Sequence, residues 1–393
     1  MKILYWKNYS IFFYVLLFVF QSTHIHSQEK NNVCALVLTI DSEKQNMSKD
    51  YILAGPRLLA IGKNDDILVC DEMKIKIFTN TGMPKAIIGG YGQGPGEFLQ
   101  SPLTYIGPLG YIAAKELNYV TIFSSNYKIV KKINMSTHKL LNDYFETKGF
   151  KYPSIEEYIP KNEFETIYSV KLQKDNKEIK EIIYEKPNEI TSIMKVEVPD
   201  KSYKGDLFFG MLDTNRVLYH NAFEDVFNVS GKYYYTVQII CLDNNTYKKY
   251  TRSFTPVLIS IDEELEVLEK MKEKSQNKLI TDKMIKERKE KIEAQKYYHP
   301  ILYLWVDMQY VYFWLDLIKK DGKITSASSK NPGELTQFCI DIFDVNSERF
   351  LEPIQLQFLP VMIKNGYVYN IDKNQDGYPV INKYKINPAV YGK

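Results

Sequence analysis

Residues 58–88, LLAIGKNDDILVCDEMKIKIFTNTGMPKAII, align without a gap with residues 103–133, at an offset of 45 positions. Each copy contains four short runs with the alternation of half-buried strands; in the first they are LLAI, DILVC, KIKIF and PKAII. Four short strands in about 40–45 residues are typical of one blade of a β-propeller. The copies share identical residues at seven apolar or turn positions: Leu58/Leu103, Ile61/Ile106, Gly62/Gly107, Ile67/Ile112, Ile77/Ile122, Phe78/Phe123 and Ile88/Ile133.

The remainder of the chain divides into units of similar size. They cover residues 163–186, 207–254, 301–319 together with 338–357, and 361–386, which makes six units in all. We therefore predict an all-β fold, a six-bladed β-propeller of four-stranded antiparallel blades. The N-terminal run Cys34–Ile40 (CALVLTI) is a single extra strand. We expect it to pair with the unit that ends the chain, because closing the ring removes exposed sheet edges.

The composition fits this class of fold. The 31 Tyr and 20 Phe among 393 residues favour pleated, half-buried surfaces. Hydrophobic residues at 45% and charged residues at 25% exclude a disordered or fibrous chain. With 51 Lys+Arg against 48 Asp+Glu the net charge is only +3, so charge gives no argument for nucleic acid or an anionic membrane as partner.

The first 27 residues have the organisation of a signal peptide. Lys2 and Lys7 precede the apolar run IFFYVLLFVF at residues 11–20, and the small Ser27 suits cleavage before Gln28. A run of ten apolar residues is well short of the ~20 that a membrane-spanning helix needs. We therefore predict that residues 28–393 form a single propeller domain outside the cytoplasm, in the periplasm, on the cell surface or secreted.

One segment, at about residues 260–296, departs from the strand pattern. It is dense in Lys and Glu, lacks Gly and Pro, and begins with a capping box of Ser260 and Glu263. It predicts a charged helical insertion between blades, either a solvated excursion or an arm that docks a partner. Its apolar stripe, which begins at Leu265, is thin, so we expect it to bury little apolar surface.

A second segment, Ile301–Ile318 (ILYLWVDMQYVYFWLDLI), has the length of a membrane span. Asp307, Gln309 and Asp316 interrupt it, and each is costly in hydrocarbon. We predict two core strands joined near Asp307–Gln309.

Two stretches resemble a known family. IKIFTNTGMPKAIIGGYGQGPGEF (Ile75–Phe98) and NGYVYNIDKNQDGYPVINKYKI (Asn365–Ile386) are similar to the bacterial secreted six-bladed β-propellers, relatives of the NHL-repeat propellers. The interval from Asp71 to Phe78 is shorter than in NHL repeats, and Lys and Ile stand where those repeats carry Asn and Arg. No site residue is therefore carried over. The resemblance implies a propeller outside the cytoplasm and no common ligand or reaction.

Two loops have features of binding motifs. The run Gly89–Gly96 (GGYGQGPG) is not followed by Gly-Lys-Ser/Thr and breaks the G-x-G-x-x-G spacing. It predicts an inter-blade turn with glycines at positive φ and Phe98 in the core. Asp372, Asn374 and Asp376 match the first half of a calcium loop, but position twelve is Lys383 in place of Glu. A hairpin turn explains these residues equally well, so calcium binding stays open.

The remaining candidates for chemistry are scattered. The four cysteines Cys34, Cys70, Cys241 and Cys339 are far apart, and we expect buried free thiols more than disulfides, whose pairing stays open. Outside the leader the only histidines are His138, His220 and His299, and His220 is expected to be a satisfied polar residue on a strand. The carboxylate pairs Asp65–Asp66 and Glu156–Glu157 lie in turn-like or loop-like stretches and are expected to be solvated.

Two classes of function fit these observations. The first is a non-enzymatic binding or scaffold propeller, a monomer whose exposed aromatic side chains hold a protein, peptide or glycan ligand. The alternative is an extracytoplasmic lyase or hydrolase that uses a metal in the central channel. The sequence assigns no catalytic, cofactor-binding or metal-binding residue and no cofactor, which favours the first class.

Overall fold

The structure is a computed structural model that describes most of the chain. The described residues are 33–106, 110–116, 119–134, 156–160, 165–174, 177–187, 207–213, 216–221, 225–241, 244, 246–259, 265, 285–286, 289–290, 297–307, 309–315, 318–320, 323–325 and 338–393. The predicted signal peptide, His138 and most of the charged segment lie outside them.

The described residues form strands joined by short turns. The strands of the first third are β1 (Cys34–Ile40), β2 (Pro56–Ile61), β3 (Ile67–Asp71), β4 (Lys74–Phe78), β5 (Pro84–Gly89), β6 (Leu103–Ile106), β7 (Ile112–Lys115), β8 (Tyr119–Phe123) and β9 (Ile129–Asn134). Those of the middle are β10 (Glu156–Pro160), β11 (Glu165–Lys174), β12 (Lys177–Pro187), β13 (Leu207–Met211), β14 (Arg216–Asn221), β15 (Val226–Val229), β16 (Lys232–Cys241) and β17 (Thr246–Phe254). The last are β18 (Ile301–Asp307), β19 (Tyr310–Leu315), β20 (Ile318–Lys320), β21 (Lys323–Thr325), β22 (Phe338–Asp344), β23 (Arg349–Phe350), β24 (Ile354–Leu356), β25 (Met362–Lys364), β26 (Tyr367–Lys373) and β27 (Pro379–Ile386). Short 3-10 turns lie at Lys49–Tyr51, Lys63–Asp65 and Pro388–Tyr391.

The strands pair with their sequence neighbours in antiparallel sheets. The first sheet has the order β2-β3-β4-β5 and the second β6-β7-β8-β9. The third is β10-β11-β12, and the fourth is β13-β14-β16, in which both β15 and β17 pair with β16. The fifth sheet is β18-β19-β22, with β23 and β24 both paired to β22, and β20 and β21 form a separate hairpin. The four predicted strands of each repeat unit are thus confirmed in the first and second sheets.

The sheets pack face to face around their first strands. β13 lies against β18, β18 against β25, and β2 against both β25 and β6. A separate hydrophobic core fills each of four interfaces: fourth with fifth sheet, fifth with sixth, sixth with first, and first with second. Successive antiparallel meanders that stack in this way form a β-propeller. The strand order and the packing of the sheets therefore identify the fold as a β-propeller.

The two ends of the chain meet in the sixth sheet, whose order is β1-β27-β26-β25. β1 pairs antiparallel with β27, from Cys34 opposite Ile386 to Ile40 opposite Ile381. Ile40 is fully buried in the core between the sixth and first sheets. The predicted pairing of the N-terminal strand with the unit that ends the chain is confirmed.

Equivalent positions of the two repeat copies carry carboxylates that make the same kind of backbone contact. The Asp71 carboxylate accepts hydrogen bonds from the backbone N–H groups of Ala54 (3.1 Å) and Gly55 (2.7 Å) in the segment that enters the first sheet. Exactly 45 positions later, Glu116 Oε1 accepts from the N–H groups of Leu99 (2.6 Å) and Gln100 (3.2 Å). Because each carboxylate accepts from two consecutive backbone N–H groups, it holds the chain as it approaches the innermost strand.

Two further predictions concern the later part of the chain. The run from Ile301 forms β18 and β19, which pair antiparallel with Asp307 opposite Tyr310, and this confirms the two-strand prediction. No helix in the described residues is long and apolar enough to span a membrane. In the charged segment, Leu265, Ile285, Lys286, Lys289 and Glu290 have helical backbone, while the extent of the insertion stays a prediction. Leu265 is only 2% exposed, so the stripe does pack against protein at that residue.

Candidate functional site

The glycine-rich run is a structural turn. Gly89 has φ +87°, and a Cβ there would lie 2.3 Å from the ring of Phe98, which is fully buried. Glu97 folds back so that its Oε2 accepts from Gly94 N at 2.7 Å, and a side chain of the loop therefore uses this backbone donor. The predicted inter-blade turn with Phe98 in the core is confirmed.

The acidic turn Asp372–Gly377 joins β26 to β27. Asn374 Oδ1 accepts from the backbone N–H groups of Asp376 (3.0 Å) and Tyr378 (2.9 Å), and its Nδ2 donates to Asp41 at 3.1 Å. The side chain that a calcium ion would need is therefore engaged in the hairpin. No group of three or more His, Cys, Asp or Glu that could hold a metal ion exists among the described residues.

The structure also places the carboxylate pairs and the cysteines that the sequence analysis considered. Asp66 is 2% exposed and accepts from Lys85 Nζ at 2.6 Å and from the Tyr127 hydroxyl, so the expectation that it is solvated is wrong. Glu156 and Glu157 begin strand β10, and their loop assignment is also wrong. All four cysteines are free; Cys70 and Cys339 are buried, and Cys34 and Cys241 are partly buried.

Two histidines that are 79 positions apart in sequence meet between the fourth and fifth sheets. His220, on β14, is fully buried and its Nδ1 donates to the carbonyl oxygen of Thr236 at 2.7 Å. Its Nε2 lies 3.1 Å from Nε2 of the half-buried His299. The ring of Phe208, on β13, stacks on His299 with centroids 5.8 Å apart.

The hydrogen-bond partners of the ring nitrogens show which nitrogen donates and which accepts. His299 Nδ1 lies 2.8 Å from the carbonyl oxygen and 3.2 Å from the amide nitrogen of Ile301. Because His220 donates from Nδ1, its Nε2 carries a lone pair, and the proton between the two Nε2 atoms belongs to His299, which donates to His220. Burial, and then His299, lowers the pKa of His220 to about 3. His220 is therefore neutral near pH 7, with its Nδ1 proton held by the Thr236 carbonyl oxygen and its Nε2 facing His299.

A second polar cluster joins the same two sheets. The buried Tyr235 hydroxyl donates to Asp341 Oδ2 at 2.7 Å, and Arg252 contacts both oxygens of that carboxylate at 3.1 Å. Desolvation raises the pKa of Asp341, while Arg252 opposes the rise. Arg252 also donates to the carbonyl oxygen of Leu351 at 3.1 Å. The cluster is a buried charge pair with its donors used inside the protein, which is a structural arrangement.

The fifth sheet carries an aromatic cluster on the face toward the sixth sheet. Tyr303 lies on β18, the innermost strand, and its ring centroid is 4.9 Å from that of Trp305. Trp305 stacks with Trp314 at 6.5 Å, and Trp314 meets Phe338 edge-on at 5.7 Å. Tyr303 is 38% exposed, whereas Trp305 and Trp314 are 5% and 7% exposed. We call Tyr303, Trp305 and Trp314 the indole site.

The indole site combines two buried donors with one accessible ring. The Nε1–H groups of both tryptophans are buried and have no hydrogen-bond acceptor. Buried N–H donors are rarely left without an acceptor, because each costs about 1–3 kcal/mol. Moreover, desolvation raises the pKa of Tyr303 although more than a third of its surface is accessible. The Tyr303 side chain is therefore partly accessible and partly desolvated.

Comparisons with known proteins add little to this description. No protein-family model matches the chain, and no curated protein matches it. Among solved structures, a predicted exported protein of Bacteroides fragilis is similar over 92% of this chain and 98% of its own, with 12% identity and a TM-score of 0.39. The WD40 domain of Neurospora crassa Pan2 covers 93% and 98%, with 7% identity and a TM-score of 0.34. The Dos1 propeller covers 83% and 77%, with 8% identity and a TM-score of 0.29. At these TM-scores the similarities carry no argument about function.

Sequence reasoning missed the indole site for an identifiable reason. It interpreted the run from Ile301 correctly as two strands, and the pairing of Tyr303 with Trp314 follows from that hairpin. The strand pattern does not say whether an indole N–H finds an acceptor, because that depends on the neighbouring sheet. The available signal was the position of the tryptophans: apart from Trp6 in the leader, the only two lie nine residues apart, at Trp305 and Trp314.

Proposed function

We propose that this chain is an extracytoplasmic, six-bladed β-propeller that acts as a non-enzymatic binding or scaffold protein for a protein, peptide or glycan ligand. The observation that carries the proposal is the indole site on β18 and β19, the first two strands of the fifth sheet. A partly accessible tyrosine ring that packs beside a tryptophan provides aromatic contact area for a ligand.

The two titratable clusters support binding over catalysis. A general base must be poised near the working pH, and the pKa of His220 lies at about 3. The Asp341 carboxylate is 2% exposed and is held by Tyr235 and Arg252, so a substrate has no direct access to it. Neither cluster offers a free acid or base to a molecule at the indole site.

The blade count and the location are part of the same proposal. Six sheets of three to five strands follow one another in the chain, and the sixth takes its outer strand from the N-terminus, which supports one closed ring of six blades. The leader-like residues 1–27 support export. The resemblance to secreted NHL-like propellers agrees with both.

The experiment is affinity capture by the immobilised protein from an envelope extract, with Tyr303→Ala in parallel. We expect a ligand that the wild-type protein retains, that Tyr303→Ala loses, and that is recovered chemically unchanged. Control captures use Tyr378→Ala, in which a 48% exposed tyrosine of the β26–β27 hairpin is removed. Recovery of a cleaved ligand, with cleavage stopped by EDTA, would replace this proposal with the lyase or hydrolase alternative.

A further inference from the structure

One face of the β18–β19 hairpin carries a row of aromatic side chains that can be oxidised. In the antiparallel register Tyr303 lies opposite Trp314, and Trp305 lies opposite Tyr312. Tyr310 is two residues from Tyr312 on β19 and therefore lies on the same face. Directly opposed residues on one face have Cβ atoms about 4.5–5.5 Å apart, so these rings are neighbours.

The ring separations show that the row is continuous. The ring centroid of Trp305 is 4.9 Å from that of Tyr303 and 6.5 Å from that of Trp314. The centroids of Tyr310 and Tyr312 are 6.4 Å apart, and both tyrosines pack in the same core as the two tryptophans. Electron transfer slows steeply with distance, so these neighbouring rings exchange an electron faster than a buried ring does with a molecule in solvent.

The C-terminal 3-10 turn extends the row. Tyr391, at the end of this turn, stacks on Tyr310 with ring centroids 4.3 Å apart, and its hydroxyl oxygen lies 2.8 Å from that of Tyr312. Tyr391 is half-buried, whereas Tyr312 is fully buried. The row therefore ends at two partly accessible tyrosines, Tyr303 and Tyr391. We call the aromatic row the set Tyr303, Trp305, Tyr310, Tyr312, Trp314 and Tyr391.

The protons of these side chains decide where an oxidising equivalent comes to rest. The Nε1–H groups of Trp305 and Trp314 and the hydroxyl of Tyr310 are buried and have no hydrogen-bond partner. A tryptophan that loses an electron there has no acceptor for its proton, so it stays a radical cation, which is a strong oxidant. A tyrosine forms a neutral radical only when its hydroxyl proton leaves. At Tyr303 and Tyr391, which are partly accessible, water can take that proton.

We propose that the aromatic row carries an electron hole from the buried tryptophans to the tyrosines at its two ends and so protects the core between the fifth and sixth sheets from oxidation. A one-electron oxidant takes an electron from Trp305 or Trp314 and leaves a tryptophan radical cation. Tyr303 or Tyr391 then gives one electron to the indole through the row and one proton to water. The tryptophan is restored and a tyrosyl radical forms. This activity goes beyond the proposed binding function and does not depend on it.

Flash photolysis of the full chain tests this transfer. In the parent protein, which carries Trp6→Phe, Trp305 and Trp314 are the only tryptophans. Light at the long-wavelength edge of tryptophan absorption, which tyrosine does not absorb, ejects an electron from an indole, and hexaamminecobalt(III) captures that electron. Transient absorption follows both radicals. We expect the tryptophan radical to decay as the tyrosyl radical appears, with a rate constant independent of protein concentration because the transfer takes place within one molecule.

Variants assign the transfer to the ends of the row. Tyr303→Phe and Tyr391→Phe keep a ring but remove the hydroxyl proton and make the ring much harder to oxidise. Each should slow the formation of the tyrosyl radical, and the double variant should slow it by about 10-fold or more, which corresponds to a barrier about 1.4 kcal/mol higher. Tyr378→Phe is the matched control, at a 48% exposed tyrosine outside the row, and should behave as the parent does. After prolonged illumination, peptide mass spectrometry should find more oxidised Trp305 and Trp314 in the double variant than in the parent.

Near-ultraviolet circular dichroism checks that each variant is folded. If the double variant forms the tyrosyl radical as fast as the parent, or if Tyr378→Phe slows it as strongly, the aromatic row does not carry the hole and the inference is wrong. A rate constant that rises in proportion to protein concentration would mean transfer between molecules and would also overturn it. None of these measurements involves a ligand, so the binding function stands or falls by the capture experiment alone.

Discussion

Closure of the ring by β1 can be tested at one buried side chain. Ile40 is fully buried in the core between the sixth and first sheets, beside Gly82, where a Cβ would lie 3.2 Å from Ile40 Cγ1. Val37 lies on the same strand but is 52% exposed. The substitution Ile40→Ala removes packed atoms and leaves a cavity, and such changes cost about 2–5 kcal/mol. Val37→Ala removes mostly solvated atoms and should cost less than about 0.5 kcal/mol.

The assay is equilibrium unfolding in urea, followed by tryptophan emission and by far-ultraviolet circular dichroism. With a slope of about 3 kcal/mol/M, a loss of 3 kcal/mol lowers the midpoint by about 1 M. Deletion of residues 29–41 should cost more than Ile40→Ala, because it also removes the β1–β27 ladder and opens a sheet edge. Equal midpoints for Ile40→Ala and Val37→Ala, or a deletion without effect, would refute the view that β1 closes and stabilises the ring.

Three further predictions follow from individual contacts. Gly89→Ala should destabilise the protein more than Gly377→Ala, since both have positive φ but only the first meets a neighbour, Phe98, at 2.3 Å; urea midpoints of the two variants provide the comparison. Asp71→Asn should lower the free energy of unfolding by about 3–5 kcal/mol, because it leaves Lys76, 2.5 Å away, buried without its counter-charge. Asp50→Asn, at the exposed 3.8 Å pair with Lys74, should lower it by less than about 1 kcal/mol. Equal losses at the two pairs would contradict the assignment. The free energy of unfolding should fall as the pH drops below about 6.5, by about 1.4 kcal/mol per pH unit. The reason is that the pKa of His220 is about 3 in the folded protein, so the unfolded chain binds the proton at a higher pH. His220→Gln should flatten that dependence in unfolding curves measured from pH 7 to pH 4.5, and an unchanged slope would exclude His220 as its source.

Much of the architecture could be predicted because it depends on local sequence patterns. The 45-residue repeat identifies the first two sheets, and the alternation of KIKIF and YVTIF marks strands whose pairing partners are adjacent in sequence. The closing strand was also predictable, since a lone N-terminal strand has a free edge that only the last unit can cover. Errors occurred where a local pattern resembled a solvated turn, as at Asp66, which the hydroxyl of Tyr127 and the amine of Lys85 surround.

Local sequence patterns were therefore sufficient for the repeated unit and its order: short antiparallel strands, the repeat, and the strand that joins the two ends of the chain. Which side chains face each other between sheets depended on the tertiary structure. His220 meets His299 across 79 positions, and Tyr235 meets Asp341 across 106. Whether the indole N–H groups of Trp305 and Trp314 have acceptors likewise depends on the tertiary structure. A two-residue period shows that a face is buried but not what covers it, because the cover comes from another sheet whose placement depends on the packing of the whole ring.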